Sequence, residues 1–259
     1  MGASCLSIED EVDFPAELRA HDAIAFCYPN YASRVPLIMR GFAAKHMGAL
    51  KGKKLVIFAT QWIFSGDAAR ALCDLFPAGH IEVIYAEHFF MPNNVCNLIF
   101  LPKASEKNVE RRMKMAERKI DRICRDIKQG IVRKRGFSVI SRILGNIQGL
   151  SWQGSSRNAF ASKGTVEYRA KHRVKVNGDC TACNVCVACC PTRNLENRGG
   201  KIAHKNNCTI CYRCVNRCPQ RAITVFFHGR PRWQFRYFAL KGGICTLADN
   251  RFSQGVHSW

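Results

Sequence analysis

Three continuous runs of apolar residues stand out in the first hundred residues, at 23–28, 54–60 and 81–85. Uninterrupted runs of this length are typical of parallel strands that are covered by helices on both faces of the sheet. The segments 35–48 and 67–76 between them have helical character. Because strands alternate with helices, we expect a three-layer α/β domain with right-handed crossovers over residues 1–101.

The clearest helical periodicity in the chain covers residues 104–129. Apolar residues recur in steps of three and four positions, at Val109, Met113, Ala116, Ile120, Ile123 and Ile127. Ser105 favours a helix start and Gly130 a helix end. Lys and Arg crowd the opposite face, which predicts a basic amphipathic helix over 102–130 that packs on the sheet and completes the first domain. Docking of an acidic partner is the alternative role of the basic face.

The chain has 259 residues and a formal net charge of +21, and the excess of Lys and Arg begins after residue 101. Residues 131–172 mix Gly, Ser and basic residues, which predicts a partly ordered basic connector. There is no apolar run of about 18 residues, so no transmembrane span is expected. The first residues lack the basic and apolar regions of a signal peptide, and a cytoplasmic location is expected.

A cysteine pattern occurs twice between residues 173 and 228. The first copy is Cys180, Cys183, Cys186 and Cys190 with Pro191, and the second is Cys208, Cys211, Cys214 and Cys218 with Pro219. Both copies have the C-x2-C-x2-C-x3-C-P spacing of bacterial proteins that hold two [4Fe–4S] clusters, where the fourth cysteine binds the cluster of the other copy. Three thiolates on a tight loop reach three irons of one cluster, and the fourth points away.

This spacing assigns the ligands crosswise. One cluster takes Cys180, Cys183, Cys186 and Cys218, and the second takes Cys208, Cys211, Cys214 and Cys190. Short strands at 174–176 and 223–226 flank the motifs and could pair, and Gly199-Gly200 predicts a turn before a small strand at 201–203. Residues 173–228 are therefore predicted to form an α+β, two-cluster domain.

Structural zinc is the alternative for clustered cysteines. Two Cys-x2-Cys pairs already satisfy a four-cysteine zinc site. Zinc gives no reason for a third cysteine at the same spacing or for the Cys-Pro ending, and both features occur twice, so iron–sulfur clusters are favoured. Cys189, a ninth cysteine in this region, is expected to pack in the interior or to be a spare thiol, not to be a ligand.

With both halves in view, the chain resembles the flavodoxin-like/4Fe–4S ferredoxin fusion proteins of anaerobic bacteria and archaea. The resemblance is carried by Tyr28-Pro29-Asn30-Tyr31 with Val35-Pro36, by residues 59–67, by Met91-Pro92-Asn93-Asn94 and by the second cysteine motif, 208–220. It implies a flavodoxin-like domain followed by a ferredoxin-like domain. It also implies an FMN site in the loops that contain Tyr31, Thr60, Gln61 and Ser65.

The chain departs from this family before Ala23. Family members begin with a strand and a Ser/Thr/Gly-rich loop that would cradle the FMN phosphate, and neither is present in this sequence. In the flavodoxin strand order 2-1-3-4-5 that strand is central. We therefore expect an incomplete flavodoxin-like domain whose strand at 23–28 exposes an apolar edge, covered by a partner or a second copy. Three explanations for the missing strand are open: the start is misplaced, the protein is a degenerate family member, or a partner fills the gap.

Three functions follow, in this order of preference. The first is a ferredoxin-type carrier that passes single electrons between redox partners with acidic docking surfaces. The second is an FMN-dependent oxidoreductase fed by the clusters, although no acid/base pair stands out. The third is nucleic-acid binding, which rests on the charge and on aromatic residues of the C-terminal extension, 229–259. These aromatic residues are Trp233, Phe235, Tyr237 and Phe238, and their alternation also fits a last strand.

Overall fold

The structure, a computed structural model, describes residues 5–64, 66–98, 101, 103–153, 165–227 and 229–235. The helices in these ranges are α1 (Phe14–Ala20), α2 (Leu37–Lys45), α3 (Met47–Leu50), α4 (Ala68–Cys73), α5 (Glu106–Lys128), α6 (Val139–Gln153), α7 (Val166–Lys171), α8 (Val185–Ala188) and α9 (Arg213–Arg217). The strands are β1 (Ala23–Pro29), β2 (Lys54–Gln61), β3 (Glu82–Phe90), β4 (Arg133–Lys134), β5 (Val174–Val176), β6 (Leu195–Arg198), β7 (Lys201–His204) and β8 (Ile223–Val225). None of the described helices is long and apolar enough to cross a bilayer.

The first sheet is parallel, with the strand order β1-β2-β3-β4. Helices connect its strands, so the prediction of an α/β domain is confirmed. Two of the three apolar runs form β1 and β2. The third strand continues to Phe90, well beyond the predicted 81–85. The prediction stopped early because Glu87 and His88 interrupt the apolar pattern, although both are buried in the strand.

β1 lies at one edge of this sheet and, within the described ranges, pairs with β2 alone. Phe26 and Tyr28 point into the core, and the Tyr28 hydroxyl donates a hydrogen bond to the Ala68 carbonyl at 2.9 Å. Ala25 and Cys27, on the opposite face of the strand, are exposed. The resemblance predicts its additional strand at a central position, between β1 and β2, but these two strands pair directly with each other. The free edge of the described sheet is therefore the outer side of β1.

Helix α5 has nearly the predicted bounds, and the Ser105 hydroxyl accepts a hydrogen bond from the Asn108 amide at its start. The predicted apolar face needs one correction, since Ile120 is 42 % exposed and Asp126 is buried. The Tyr85 hydroxyl of β3 donates a hydrogen bond to the Asp126 carboxylate at 2.7 Å. The helix therefore meets a polar group on the sheet, which helical periodicity alone does not predict.

The described residues of the predicted connector, 131–172, contain β4, α6 and α7, which the sequence analysis does not predict as separate elements. Helix α6 turns small residues inward: a Cβ at Gly145 would lie 1.9 Å from Asp67 Oδ1, so only glycine permits this approach. Its large apolar residues face outward, with Ile140 70 % and Ile147 64 % exposed. This inverted pattern hides the helix from a prediction based on an apolar inner face.

His88 lies in β3 with 2 % of its surface exposed. Burial and, next in size, the charge of Arg135 lower the pKa of its imidazole from 6.5 to about 4. The unfolded chain takes up this proton near pH 6.5 and the folded protein only near pH 4, so stability present at pH 7 is lost as the pH falls through this window. At pH 5 we expect a loss of about 2 kcal/mol in the free energy of unfolding.

Urea unfolding of the wild type and of His88→Gln at pH 7 and pH 5 measures this loss. The variant has no titrating group at this position, so its stability should change by about 2 kcal/mol less between the two pH values. His21→Gln, which replaces an exposed histidine, is the matched control and should behave like the wild type. Equal pH dependence of His88→Gln and the wild type would contradict the prediction.

Candidate functional site

The two cysteine repeats are joined by strands at their outer ends and by a hairpin between them. β5, before the first repeat, pairs antiparallel with β8, after the second, and Val174 lies opposite Val225. β6 and β7 pair through a turn at Gly199 and Gly200, both of which have positive φ. These pairings confirm the strands predicted around the motifs. They bring residues that are about fifty positions apart in the sequence into one small unit.

Each cysteine loop contains two residues in the left-handed backbone conformation. They are Ala182 (φ 51°) and Asn184 (φ 62°) in the first loop, and Ile210 (φ 60°) and Tyr212 (φ 59°) at the equivalent positions of the second. Tyrosine rarely adopts this conformation. Burial of its ring, which is 2 % exposed, and a 2.9 Å hydrogen bond from its hydroxyl to the Val225 carbonyl stabilise Tyr212 there.

Two small cavities lie among the cysteines, and each is lined by four of them. The first is lined by Cys180, Cys183, Cys186 and Cys218, and the second by Cys190, Cys208, Cys211 and Cys214. Apolar side chains form most of the remaining walls, such as Ile223 in the first cavity and Leu195 in the second. The structure therefore brings together the two crosswise sets that the spacing predicts, three cysteines of one repeat with the fourth of the other.

Backbone amides donate hydrogen bonds to the cysteine sulfurs in the same way in both repeats. The donors are two residues after the first cysteine of each repeat, Ala182 to Cys180 at 3.4 Å and Ile210 to Cys208 at 3.3 Å. They are also four residues after the last cysteine, Asn194 to Cys190 at 3.2 Å and Ala222 to Cys218 at 3.3 Å. Such donors favour the anionic form of sulfur, which is the form that ligates metal.

Burial acts in the opposite direction on Cys208 and Cys211. Burial, with a smaller contribution from the neighbouring cysteines, raises the pKa of Cys208 to about 12 and that of Cys211 to about 11. Cys208 and Cys211 therefore keep their protons at neutral pH unless a cation replaces them. This donor set and its enclosure fit a metal centre with thiolate ligands.

Across the described ranges, no three His, Cys, Asp or Glu side chains are arranged around a point where a single metal ion would bind. A [4Fe–4S] cluster has its irons at separate corners, so its four ligands lie farther apart than those of one ion. Four sulfurs can therefore line a cavity that suits a cluster without converging on one point as the ligands of a single ion do. The structure describes all of the fifteen cysteines except Cys245, and none of those described forms a disulfide.

Cys189 lines neither of these cavities. It is 6 % exposed, and its sulfur donates a hydrogen bond to the Cys186 carbonyl at 3.7 Å. Burial raises the pKa of its thiol to about 11. This environment is that of an interior packing residue, as the sequence predicts.

The predicted FMN residues lie at the carboxyl end of the parallel sheet, but the chain itself covers part of this region. The Tyr31 ring packs against Trp152 of α6, with ring centroids 6.1 Å apart. Thr60 and Gln61 are at the end of β2, where their carbonyls accept hydrogen bonds from the amides of Asn30 and Met91. Ser65 lies outside the described residues. Tyr31, Thr60 and Gln61 line neither of the two cysteine-lined cavities.

The contact between α6 and this end of the sheet is the feature that the sequence does not predict. Arg34 and Asp67 are 2 % and 0 % exposed beneath the helix, and the Arg34 guanidinium donates a hydrogen bond to the Gly145 carbonyl at 3.2 Å. A Cβ at Gly149 would lie 2.1 Å from Arg34 Cζ. Two glycines four positions apart in a helix were the available signal, since they permit close approach of a buried side chain.

A larger, open groove of about 970 Å³ lies away from both cysteine-lined cavities, between α4, the start of β3 and α6. Its lining includes Asp74, Phe76, Lys134 and Arg142. It contains no residue that the sequence predicts for a site, and we assign it no chemistry.

Comparison of the chain with protein-family models, with curated proteins and with solved structures finds no match. The flavodoxin-like and ferredoxin-like resemblances therefore stay predictions that rest on the quoted residues.

Proposed function

We propose that this protein binds two [4Fe–4S] clusters and carries single electrons between redox partners. One observation carries the proposal: each small cavity is lined by three cysteines of one repeat and the fourth cysteine of the other. Random clustering of thiols gives no reason for this exchange, whereas a two-cluster protein requires it. The exchange also places both cavities within one compact unit.

The residues of the chain have separate roles in this proposal. The eight cysteines hold the clusters, and the amides of Ala182, Asn194, Ile210 and Ala222 stabilise charge on four of their sulfurs. Apolar side chains form most of the remaining wall of each cavity. An all-thiolate [4Fe–4S] centre exchanges one electron at a time, at a potential set by such hydrogen bonds, by net charge and by exposure.

The observations favour the carrier over the two other functions. For an FMN-dependent oxidoreductase, Tyr31 would have to contact a flavin, and it contacts Trp152 instead. For nucleic-acid binding through base stacking, the aromatic residues near the C-terminal end would have to be exposed, but Phe235 is 9 % exposed and Trp233 packs on the core of the cysteine-rich unit. Tyr237 and Phe238 lie outside the described residues.

Anaerobic purification followed by iron, sulfide and zinc analysis tests the proposal. We expect about eight irons and about eight sulfides per chain, and an EPR signal from two interacting clusters after reduction. Flavin released by acid treatment should be absent, because the carrier needs none. Colourless protein that contains zinc and no inorganic sulfide, prepared without oxygen, would overturn the proposal.

A further inference from the structure

An acidic segment near the start of the described chain lies against the cysteine-rich unit. The Glu9 carboxylate accepts two hydrogen bonds from the Arg213 guanidinium, at 2.7 and 2.6 Å. Glu11 accepts one from Arg193 at 3.0 Å. These partners are 204 and 182 positions apart in the sequence, so the contacts are tertiary and not part of a local turn.

Both arginines flank the second cysteine-lined cavity. Arg193 follows Cys190, and its amide donates a hydrogen bond to the Cys190 carbonyl at 3.0 Å. Arg213 begins α9, two residues after Cys211. Cys190 and Cys211 both line the second cavity. A carboxylate bound to either arginine is therefore close to the proposed second cluster.

The acidic segment begins with a turn over residues 7–10, in which the Asp10 amide donates a hydrogen bond to the Ser7 carbonyl at 2.9 Å. The Ser7 amide also donates a hydrogen bond to the Asp10 carboxylate at 2.8 Å, so this turn holds Glu9 within it. Glu9 and Glu11 are two positions apart and reach different arginines. Paired parallel bonds from a guanidinium to a carboxylate are the strong and specific form of this interaction. The surface is thus complementary to two carboxylates that are two positions apart on one segment.

We propose that Arg193 and Arg213 form a docking surface for acidic redox proteins, and that the chain's own residues 9–11 occupy it when no partner is bound. The surface is a binding site for acidic protein segments in its own right, and its role in electron transfer rests on the proposed function. A partner that replaces Glu9 and Glu11 is placed beside the second cavity.

The contacts fit exchange of one acidic segment for another. The Glu11–Arg193 pair is exposed, with 87 % and 83 % of the side chains accessible, so it contributes little to stability. The Glu9–Arg213 pair is more enclosed, at 29 % and 25 %, and serves as the anchor. The net charge of +21 attracts an acidic partner from a distance and raises the rate of encounter. An attached segment competes at high effective concentration, so its removal should strengthen binding of an external one.

The experiment measures binding of a fluorescein-labelled peptide of alternating Glu and Gly residues by anisotropy. Glu9→Gln combined with Glu11→Gln should bind the peptide about fivefold more tightly than the wild type at low salt. Glu110→Gln combined with Glu117→Gln is the matched control, because it changes net charge equally on exposed residues of α5. Arg193→Gln combined with Arg213→Gln should weaken binding below that of the wild type.

If the Glu9/Glu11 variant binds no more tightly than the Glu110/Glu117 control, or if the Arg193/Arg213 variant binds as well as the wild type, the docking surface is wrong. Circular dichroism of each variant verifies the fold. The Glu110/Glu117 variant is expected to fold like the wild type, because both side chains are exposed. Iron and sulfide are counted on the same samples. Absence of clusters with the expected order of peptide affinities would overturn the proposed function and leave the docking surface intact.

Discussion

Replacing Cys180 and Cys218 together by Ala should leave about four of the eight irons, because both side chains line the first cavity and the second keeps its four ligands. Replacing Cys180 and Cys190 together should remove nearly all iron, since these two cysteines line different cavities. The first pair comes from different repeats and the second from one repeat. Iron and sulfide analysis with reduced-state EPR distinguishes the two variants.

Ligation within each repeat would give the opposite order, with more iron in the Cys180/Cys190 variant than in the Cys180/Cys218 variant. That result would contradict the crosswise assignment even if eight irons are present in the wild type. Cys189→Ala is the matched control, because Cys189 is in the same region and lines neither cavity. It should retain about eight irons.

Replacing Arg40 by Met should lower the free energy of unfolding by about 3 kcal/mol at pH 8. Arg40 of α2 and Glu167 of α7 are each 3 % exposed and form an ion pair. The pair joins the α/β domain to the helix that leads into β5. Without Arg40, the Glu167 carboxylate is buried with no cation of this pair beside it, and its charge is costly.

The pH dependence of this variant follows from Glu167. Burial raises the pKa of Glu167 and Arg40 lowers it, so the loss of Arg40 raises this pKa further. A carboxyl whose folded pKa is raised stabilises the fold at low pH and loses that contribution as the pH rises. The destabilisation should therefore be smaller at pH 5 than at pH 8 in urea unfolding.

Arg40→Met combined with Glu167→Met is the control for this pair. Two apolar side chains of suitable size leave no buried charge, so stability should return to within about 1 kcal/mol of the wild type. A double variant as unstable as Arg40→Met alone would show that packing around Arg40, and not the uncompensated charge, causes the loss.

Local patterns predicted much of this protein. The apolar runs gave the first three strands of the parallel sheet, and the periodicity after residue 104 gave α5, since both depend on neighbours within a few positions. The same patterns failed where an interior is polar. Glu87 and His88 are buried in β3, Asp126 is buried on the inner side of α5, and α6 packs through glycines. Local patterns miss these features because the contacts are with residues far away in the sequence.

The sequence by itself determined the donor atoms of the candidate site, because the eight cysteines occur at the same C-x2-C-x2-C-x3-C-P spacing in both repeats. This spacing also predicted the exchange of the fourth ligand. Only the tertiary structure decided which sulfurs share a cavity, that Trp152 covers Tyr31, and that Glu9 meets Arg213 across 204 positions. Spacing is a property of the covalent chain, whereas these contacts depend on how separate elements pack, and no short stretch of sequence encodes that.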